Sequence, residues 1–151
     1  MKTLMAIDAG TGSVRAVLFD LEGHQIGCVS REWYHKEDKY PGSMNFDWGN
    51  NWELTKECIK GVITQTGVDP GEIAAISTTC MREGIVLYDD EGKEIWACAN
   101  VDSRAKDEAE EIITKNPKLE LEVYKKTGQT SALDAIPRLL WIKNKEPGVY
   151  K

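Results

Sequence analysis

The sequence lacks long apolar runs and clusters of basic residues, and each absence narrows what the chain can be. No apolar stretch reaches the roughly 18 residues that a membrane span requires, and Asp8 interrupts the N-terminal apolar run before it could form a signal peptide. Acidic residues outnumber basic ones by 25 to 19, for a net charge of −6. We therefore expect a cytoplasmic protein with no nucleic-acid or membrane partner.

Cysteine and histidine are also sparse. The four cysteines form no Cys-x-x-Cys pair and there are only two histidines, so the sequence predicts no zinc site. We interpret the cysteines as reduced and mostly buried residues. With 41% hydrophobic and 29% charged residues over 151 positions, the composition is typical of one compact globular unit.

Turn-forming residues divide the chain into short apolar runs and longer helical patterns. Strands are predicted at 3–7, 13–19 and 25–32 as an antiparallel meander, at "IAAIST" as a strand buried on both faces, and at 84–88 and 94–97 as a hairpin. A polar surface loop is expected at 35–46, and helices at 47–65, 103–115, 119–126 and 134–145. Trp52 and Trp141 fall at apolar helical positions and are predicted to lie in the core. This order of elements predicts an α/β fold, a mixed sheet with flanking helices.

An acid followed by a small polar turn separates the first two strands. "IDAGTGSVRAV" places Asp8 at the end of an apolar run, with no basic residue among its immediate neighbours. A buried unpaired carboxylate is costly, and a Mg²⁺ ion that shares its site with phosphates would offset that cost. The turn that follows can bring backbone N–H groups close to an anion; its residues are Gly10, Thr11, Gly12 and Ser13.

Arg15 follows Ser13 by two residues in the second predicted strand, so both side chains share one face of the sheet. Its guanidinium could bring positive charge to a transferring phosphoryl group. An ordinary hairpin turn is the alternative interpretation of the whole stretch. The Lys of a Walker A loop is missing, which excludes that motif.

The stretch "AIDAGTGSVRAVLFDLEG" resembles the phosphate-binding hairpin that opens the actin, hexokinase and heat-shock ATPase superfamily, and in particular the FGGY carbohydrate kinases. The segments "TTCMREGIVLYDDEGKEIWACANVDSRA" and "VYKKTGQTSALDAIPRLLWIK" extend the likeness along the chain. The resemblance implies a ribonuclease-H-like fold, ATP with Mg²⁺ bound between two such domains, and a sugar-like substrate in the first. Asp8 would organise the metal through water, the glycine-rich turn would cradle the phosphates, and Arg15 would lie close by.

The same resemblance implies a substrate site. Arg82 and Glu83 of "MREG" would occupy the family's substrate position, and a weak exposed surface pair is the alternative. "NVDSR" matches the family pattern Trp-x-Asp-x-Arg at Asp102 and Arg104, but Asn100 replaces the tryptophan. An amide in place of a flat apolar wall suits a small, carbonyl-rich or hydrated substrate. Asp102 would either contact that substrate or cap the following helix.

The resemblance also sets an expectation for the kinase as a whole. The family's catalytic aspartate, its adenosine-binding segment and its second domain would lie beyond Lys151, so we expect residues 1–151 to be the N-terminal part of the first domain and inactive without the remainder of the kinase chain. The implied reaction transfers the γ-phosphoryl group of ATP to a hydroxyl of a sugar-like substrate. The alternatives are a kinase for another ketose or polyol, and a non-catalytic sugar or nucleotide sensor with the same fold.

Overall fold

The computed structural model describes residues 1–151 and contains six strands and five helices. The strands are β1 (Thr3–Ala9), β2 (Ser13–Phe19), β3 (Gln25–Glu32), β4 (Ile73–Cys80), β5 (Ile85–Tyr88) and β6 (Glu94–Cys98). The helices are α1 (Trp48–Thr66), α2 (Lys106–Lys115), α3 (Pro117–Thr127), α4 (Ala135–Lys145) and α5 (Pro147–Tyr150), with short 3-10 turns at Pro70–Glu72 and Ser131–Leu133. None of the helices combines the length and the apolar character needed to cross a membrane.

The chain forms two compact units, so the expectation of a single unit is wrong. The first unit comprises Met1–Tyr34 and Asp47–Met81, and the second comprises His35–Phe46 and Arg82–Lys151. Each unit has its own sheet, the first with one helix, α1, and the second with α2 to α5, which is why the contacts divide in this way.

The sheet of the first unit has the strand order β3-β2-β1-β4. The predicted antiparallel meander of β1, β2 and β3 is confirmed, and β4 pairs with β1 in parallel. The sheet is therefore mixed, as expected. Strand β1 continues two residues past its predicted end, so that Asp8 lies directly opposite Arg15 of β2.

Strand β4 is at the edge of this sheet, and the prediction that it is buried on both faces is wrong. Seven of its eight residues are exposed, and Ile76 is 60% exposed. Helix α1 packs on β2 and β3, at the other end of the sheet. An apolar strand sequence shows that the strand is able to lie in a protein interior. Within residues 1–151, however, β4 remains exposed to solvent.

Helix α1 has the predicted ends. The Asp47 side chain accepts a hydrogen bond from the backbone N–H of Asn50, and Gly67 ends the helix in the left-handed conformation with φ +69°. Cys58 and Val62 form its buried stripe. Trp52 is 58% exposed, so its assignment to the core is wrong; at 100° per residue it lies well around the helix from that stripe.

The second unit contains the predicted hairpin of β5 and β6, whose core is formed by Trp96 and Cys98 together with Trp141 and Ile142 of α4. Trp141 is therefore buried, as predicted. The segment 35–46 is more ordered than the expected surface loop, because Asn45 forms bridges with Lys36 and with Cys98. Helix α4 begins directly after Asp134, with Pro137 in its first turn as predicted.

The close contact between α1 and β3 generates a stability prediction. A methyl group at Gly27 would overlap Cγ2 of Thr66, whose hydroxyl is fixed by a hydrogen bond to the Val62 carbonyl. We expect Gly27→Ala to lower the free energy of unfolding by about 1–3 kcal/mol through overpacking. In a Thr66→Ser background, which removes Cγ2 and keeps the hydroxyl, the same substitution should cost less. Equal costs in both backgrounds, measured by denaturant unfolding, would contradict this account.

Candidate functional site

The glycine-rich turn between β1 and β2 is held in the first unit by a single buried tryptophan. The indole N–H of Trp33 donates to the carbonyls of Gly10, at 3.1 Å, and Thr11, at 3.0 Å, and its backbone N–H donates to the carbonyl of Gly12, at 3.1 Å. The Gly10 N–H closes the turn by donating to the Ser13 carbonyl at 2.9 Å. Trp33 thus donates hydrogen bonds to three successive carbonyls of the turn. The sequence pattern predicted no role for this residue.

Asp8 and Arg15 form an ion pair across β1 and β2, with Nε and Oδ2 3.1 Å apart. Their side chains are 37% and 51% exposed, so the expectation of a buried, unpaired acid is wrong. Arg15 is seven residues away in the chain but directly opposite in the hairpin, which a search of immediate sequence neighbours does not detect. A pair this exposed contributes about 1 kcal/mol or less, so a bound anion can redirect Arg15 at little cost.

Asp8 fits a metal only as a single ligand. No group of three or more His, Cys, Asp or Glu side chains capable of holding a metal ion occurs in the chain. One partly exposed carboxylate suits Mg²⁺, which keeps several waters and takes further ligands from substrate phosphates.

The second unit contains the residues predicted to bind substrate. Arg82 and Glu83 form the turn before β5, and Glu83 has φ +66°, the only positive φ outside glycine. Arg82 is exposed and Glu83 is half-buried. The carbonyl of Glu83 accepts a hydrogen bond of 2.8 Å from a guanidinium nitrogen of Arg138, on α4.

The Asn100–Asp102 loop is linked to the same guanidinium. A second nitrogen of Arg138 donates to the carbonyls of Asn100, at 3.1 Å, and Asp102, at 3.2 Å. Asn100 also lines a cavity of about 490 Å³ together with residues of α2 and α4. The structure therefore brings two of the predicted substrate segments to one buried residue.

Asp102 has no exposed side-chain surface. Its Oδ2 accepts hydrogen bonds from the Met44 N–H, at 2.6 Å, and from Nε of Arg104, at 2.8 Å. The acceptors of this carboxylate are thus used inside the unit, and its contact with a substrate stays a prediction. The alternative of a helix cap is wrong, since Ala105 occupies the N-cap position of α2.

Arg104 lies between two tryptophans. Its guanidinium carbon is 5.1 Å from the ring centre of Trp96 and 5.1 Å from that of Trp141, and its side chain is almost fully buried. It also donates to Asn45 and lies 3.8 Å from the carboxylate of Asp38. The motif "NVDSR" indicated Arg104, but no local pattern indicated these partners.

Two pKa values in this network are shifted. Burial acts to raise the pKa of Asp38, but the Tyr40 N–H, the Asn45 and Ser43 side chains and the Arg104 charge outweigh it and hold that pKa below its ordinary value. Burial, with the nearby Asp102 charge, raises the pKa of the Cys98 thiol to about 11. Cys98 is therefore a protonated, unreactive core residue at neutral pH.

Comparison with known proteins assigns the chain to a family. Residues 3–151 match the FGGY family of carbohydrate kinases, N-terminal domain. An autoinducer-2 kinase of Escherichia coli is 53% identical over 98% of the chain, and that of Salmonella paratyphi B is 51% identical over 97%. The chain spans 28% of the length of each of these relatives.

Solved structures share the fold. A ligand-bound xylulose kinase from Lactobacillus acidophilus superimposes with a TM-score of 0.83 at 26% identity, over 99% of this chain and 30% of that one. A Plasmodium falciparum glycerol kinase with ADP gives a TM-score of 0.79 at 20% identity, over 99% of this chain and 30% of that one, and supports the fold alone. The fold is thus that of sugar kinases of the actin and hexokinase type. The chain belongs to the FGGY family of carbohydrate kinases.

The buried ion pair generates a second stability prediction. Asp102→Asn leaves the Arg104 guanidinium buried without its closest carboxylate, so we expect a loss of about 3–5 kcal/mol in the free energy of unfolding. Asp38→Asn is the matched control, because its carboxylate lies farther from Arg104 and is partly exposed. A loss no larger for Asp102→Asn than for Asp38→Asn in urea unfolding would contradict the assignment.

The lowered pKa of Asp38 predicts a pH dependence. Ionised Asp38 stabilises the folded state at pH values above its ordinary pKa of 3.8, and this contribution is lost as the pH falls through the lower folded value. The difference in unfolding free energy between the wild type and Asp38→Asn should therefore be constant near neutrality and shrink below about pH 4. A difference that grows on acidification would refute the prediction.

Proposed function

We propose that this chain supplies the phosphate-binding and substrate-binding segments of an ATP-dependent kinase for autoinducer-2, 4,5-dihydroxypentane-2,3-dione, phosphorylated at its terminal hydroxyl. The observation that carries the proposal is the 53% identity to an autoinducer-2 kinase, spread over 98% of the chain. The remainder of the kinase, including the catalytic base, is the partner that completes the site. Because the reaction consumes ATP, the proposal places the enzyme in the cytoplasm.

The phosphate-binding turn has the chemistry that the proposal requires. With its carbonyls bonded to Trp33, the turn at Gly10–Ser13 would use N–H groups and two hydroxyls toward ATP phosphates. Arg15 would exchange its weak pair with Asp8 for a phosphate oxygen. Asp8 would hold hydrated Mg²⁺, which supplies charge neutralisation to the phosphates.

The substrate segments suit a small oxygen-rich molecule. Arg82 would donate to, and Glu83 accept from, neighbouring oxygens of the substrate. Asn100 would present its amide toward the hydrated carbonyls of the dione, where a tryptophan would present a flat apolar face. Asp102 would act indirectly, by holding the loop that carries Asn100.

A second candidate is a kinase for a ketopentose or polyol. The superposition on a xylulose kinase at 26% identity supports it. The two candidates share the phosphate-binding turn and differ at the substrate segments, so substrate preference separates them.

Substrate preference is tested on the full-length kinase. We expect kcat/KM for the dione to exceed that for xylulose and for glycerol by at least about tenfold, equal to 1.4 kcal/mol of discrimination. Glu83→Gln should lower kcat/KM for the dione, because the substituted amide is a weaker acceptor than a carboxylate. A preference for xylulose or glycerol would support the second candidate. Binding without turnover of any of the three would indicate a sensor.

Trp33 provides a test of the phosphate-binding turn. Trp33→Phe keeps an aromatic ring and removes the N–H that donates to Gly10 and Thr11. We expect KM for ATP to rise about tenfold, the equivalent of one or two neutral hydrogen bonds, while KM for the dione stays within about twofold. Trp141→Phe, in the core of the second unit, is the control for loss of stability. If both variants raise KM for ATP equally, Trp33 has no specific role in the turn.

A further inference from the structure

Arg138 is a buried cation that bonds to main-chain carbonyls. It lies in the first turns of α4 and is 3% exposed. Its Nη1 donates to the Glu83 carbonyl at 2.8 Å, and its Nη2 donates to the Asn100 and Asp102 carbonyls at 3.1 and 3.2 Å. One planar guanidinium thus joins two segments that are far apart in sequence, the turn before β5 and the loop after β6.

The turn that receives Arg138 needs support. Glu83 is a non-glycine residue with φ +66°, a sparsely populated conformation that persists only where surrounding contacts maintain it. The bond to its carbonyl fixes the orientation of the peptide group that joins Glu83 to Gly84. This peptide group is attached to the Cα atom that carries the Glu83 side chain. Without that bond the turn can relax, and the side chain would change direction.

The second segment depends on the same group. The Asp102 side chain anchors one end of the loop to Met44 and Arg104. Arg138 holds the other end at the Asn100 carbonyl. The carbonyl of Asn100 and its amide belong to one residue, so the bond to Arg138 also fixes where that amide can reach.

We propose that Arg138 is the positioning residue of the substrate site: it acts through Glu83 and Asn100 to set the separation and direction of the groups that bind the substrate. The proposal rests on the proposed function of those segments. A guanidinium is required because its rigid planar fork carries five N–H donors, and a lysine ammonium at the end of a flexible chain cannot reproduce this geometry.

The experiment uses three variants of the full-length kinase. Arg138→Lys keeps the charge, Arg138→Met removes it, and Ile142→Ala is the matched control, since Ile142 is fully buried one turn along α4 and packs in the core. Thermal unfolding ranks the loss of stability. Amide hydrogen exchange of residues 81–84 and 99–103 and the KM values for substrate and for ATP report on the site.

We expect KM for the dione to rise more than about tenfold in Arg138→Met and by a smaller factor in Arg138→Lys, since each charge-assisted hydrogen bond lost is worth about tenfold or more. KM for ATP should stay within about twofold. Exchange should accelerate in both segments in the Arg138 variants. Ile142→Ala should lower thermal stability without these changes.

Two results would overturn the proposal. One is a KM for the dione in the Arg138 variants no higher than in Ile142→Ala at comparable loss of stability. The other is unchanged exchange of both segments in Arg138→Lys, the variant chosen in case Arg138→Met does not fold. Hydrogen exchange needs no substrate, so it tests the role of Arg138 even if the wild-type kinase fails to phosphorylate the dione, a failure that would count against the proposed function instead.

Discussion

The second unit depends on one buried ion pair, Asp102 with Arg104. Burying two charges is costly, and the cost is offset only where every donor and acceptor finds a partner. Here the carboxylate also accepts from the Met44 N–H, and the guanidinium lies between Trp96 and Trp141 while donating to Asn45. The pair therefore ties the segment 35–46, the hairpin and helix α4 to one loop. That loop carries Asn100, so the same ion pair stabilises the core and the candidate substrate site.

In the first unit, hydrogen bonds from a tryptophan, and not a buried ion pair, hold the candidate binding segment. Its glycine-rich turn contains few side chains that could fix its shape, and Trp33 provides that restraint from a neighbouring strand end by bonding to three carbonyls. In the proposed function this turn binds phosphate through its backbone, and order before the ligand arrives spares ligand binding the entropy cost of ordering the turn. Trp33, which is distant from the turn in sequence, supplies that order.

Local patterns predicted what depends on local interactions. The ends of α1 follow from Asp47 and Gly67, and the meander from alternation and turn residues. Such patterns do not predict contacts between residues distant in sequence. The partner of Asp8 is set by strand register, so the electrostatic argument for a lone buried acid fails. The family assignment does not depend on that argument, because it rests on the comparisons. For the same reason, sequence patterns did not predict the exposure of Trp52 and β4. They also did not predict the roles of Trp33 and Arg138, whose hydrogen bonds join residues more than twenty positions apart.

Strand β4 leaves the outer row of its backbone N–H and C=O groups without a neighbouring strand. Natural sheets guard such rows with charges or prolines, and "IAAISTTC" has neither. A short uncharged segment rich in β-forming residues is also the signature of intermolecular strand stacking. The exposed edge of β4 is therefore a template on which a further strand could pair and cover these backbone groups.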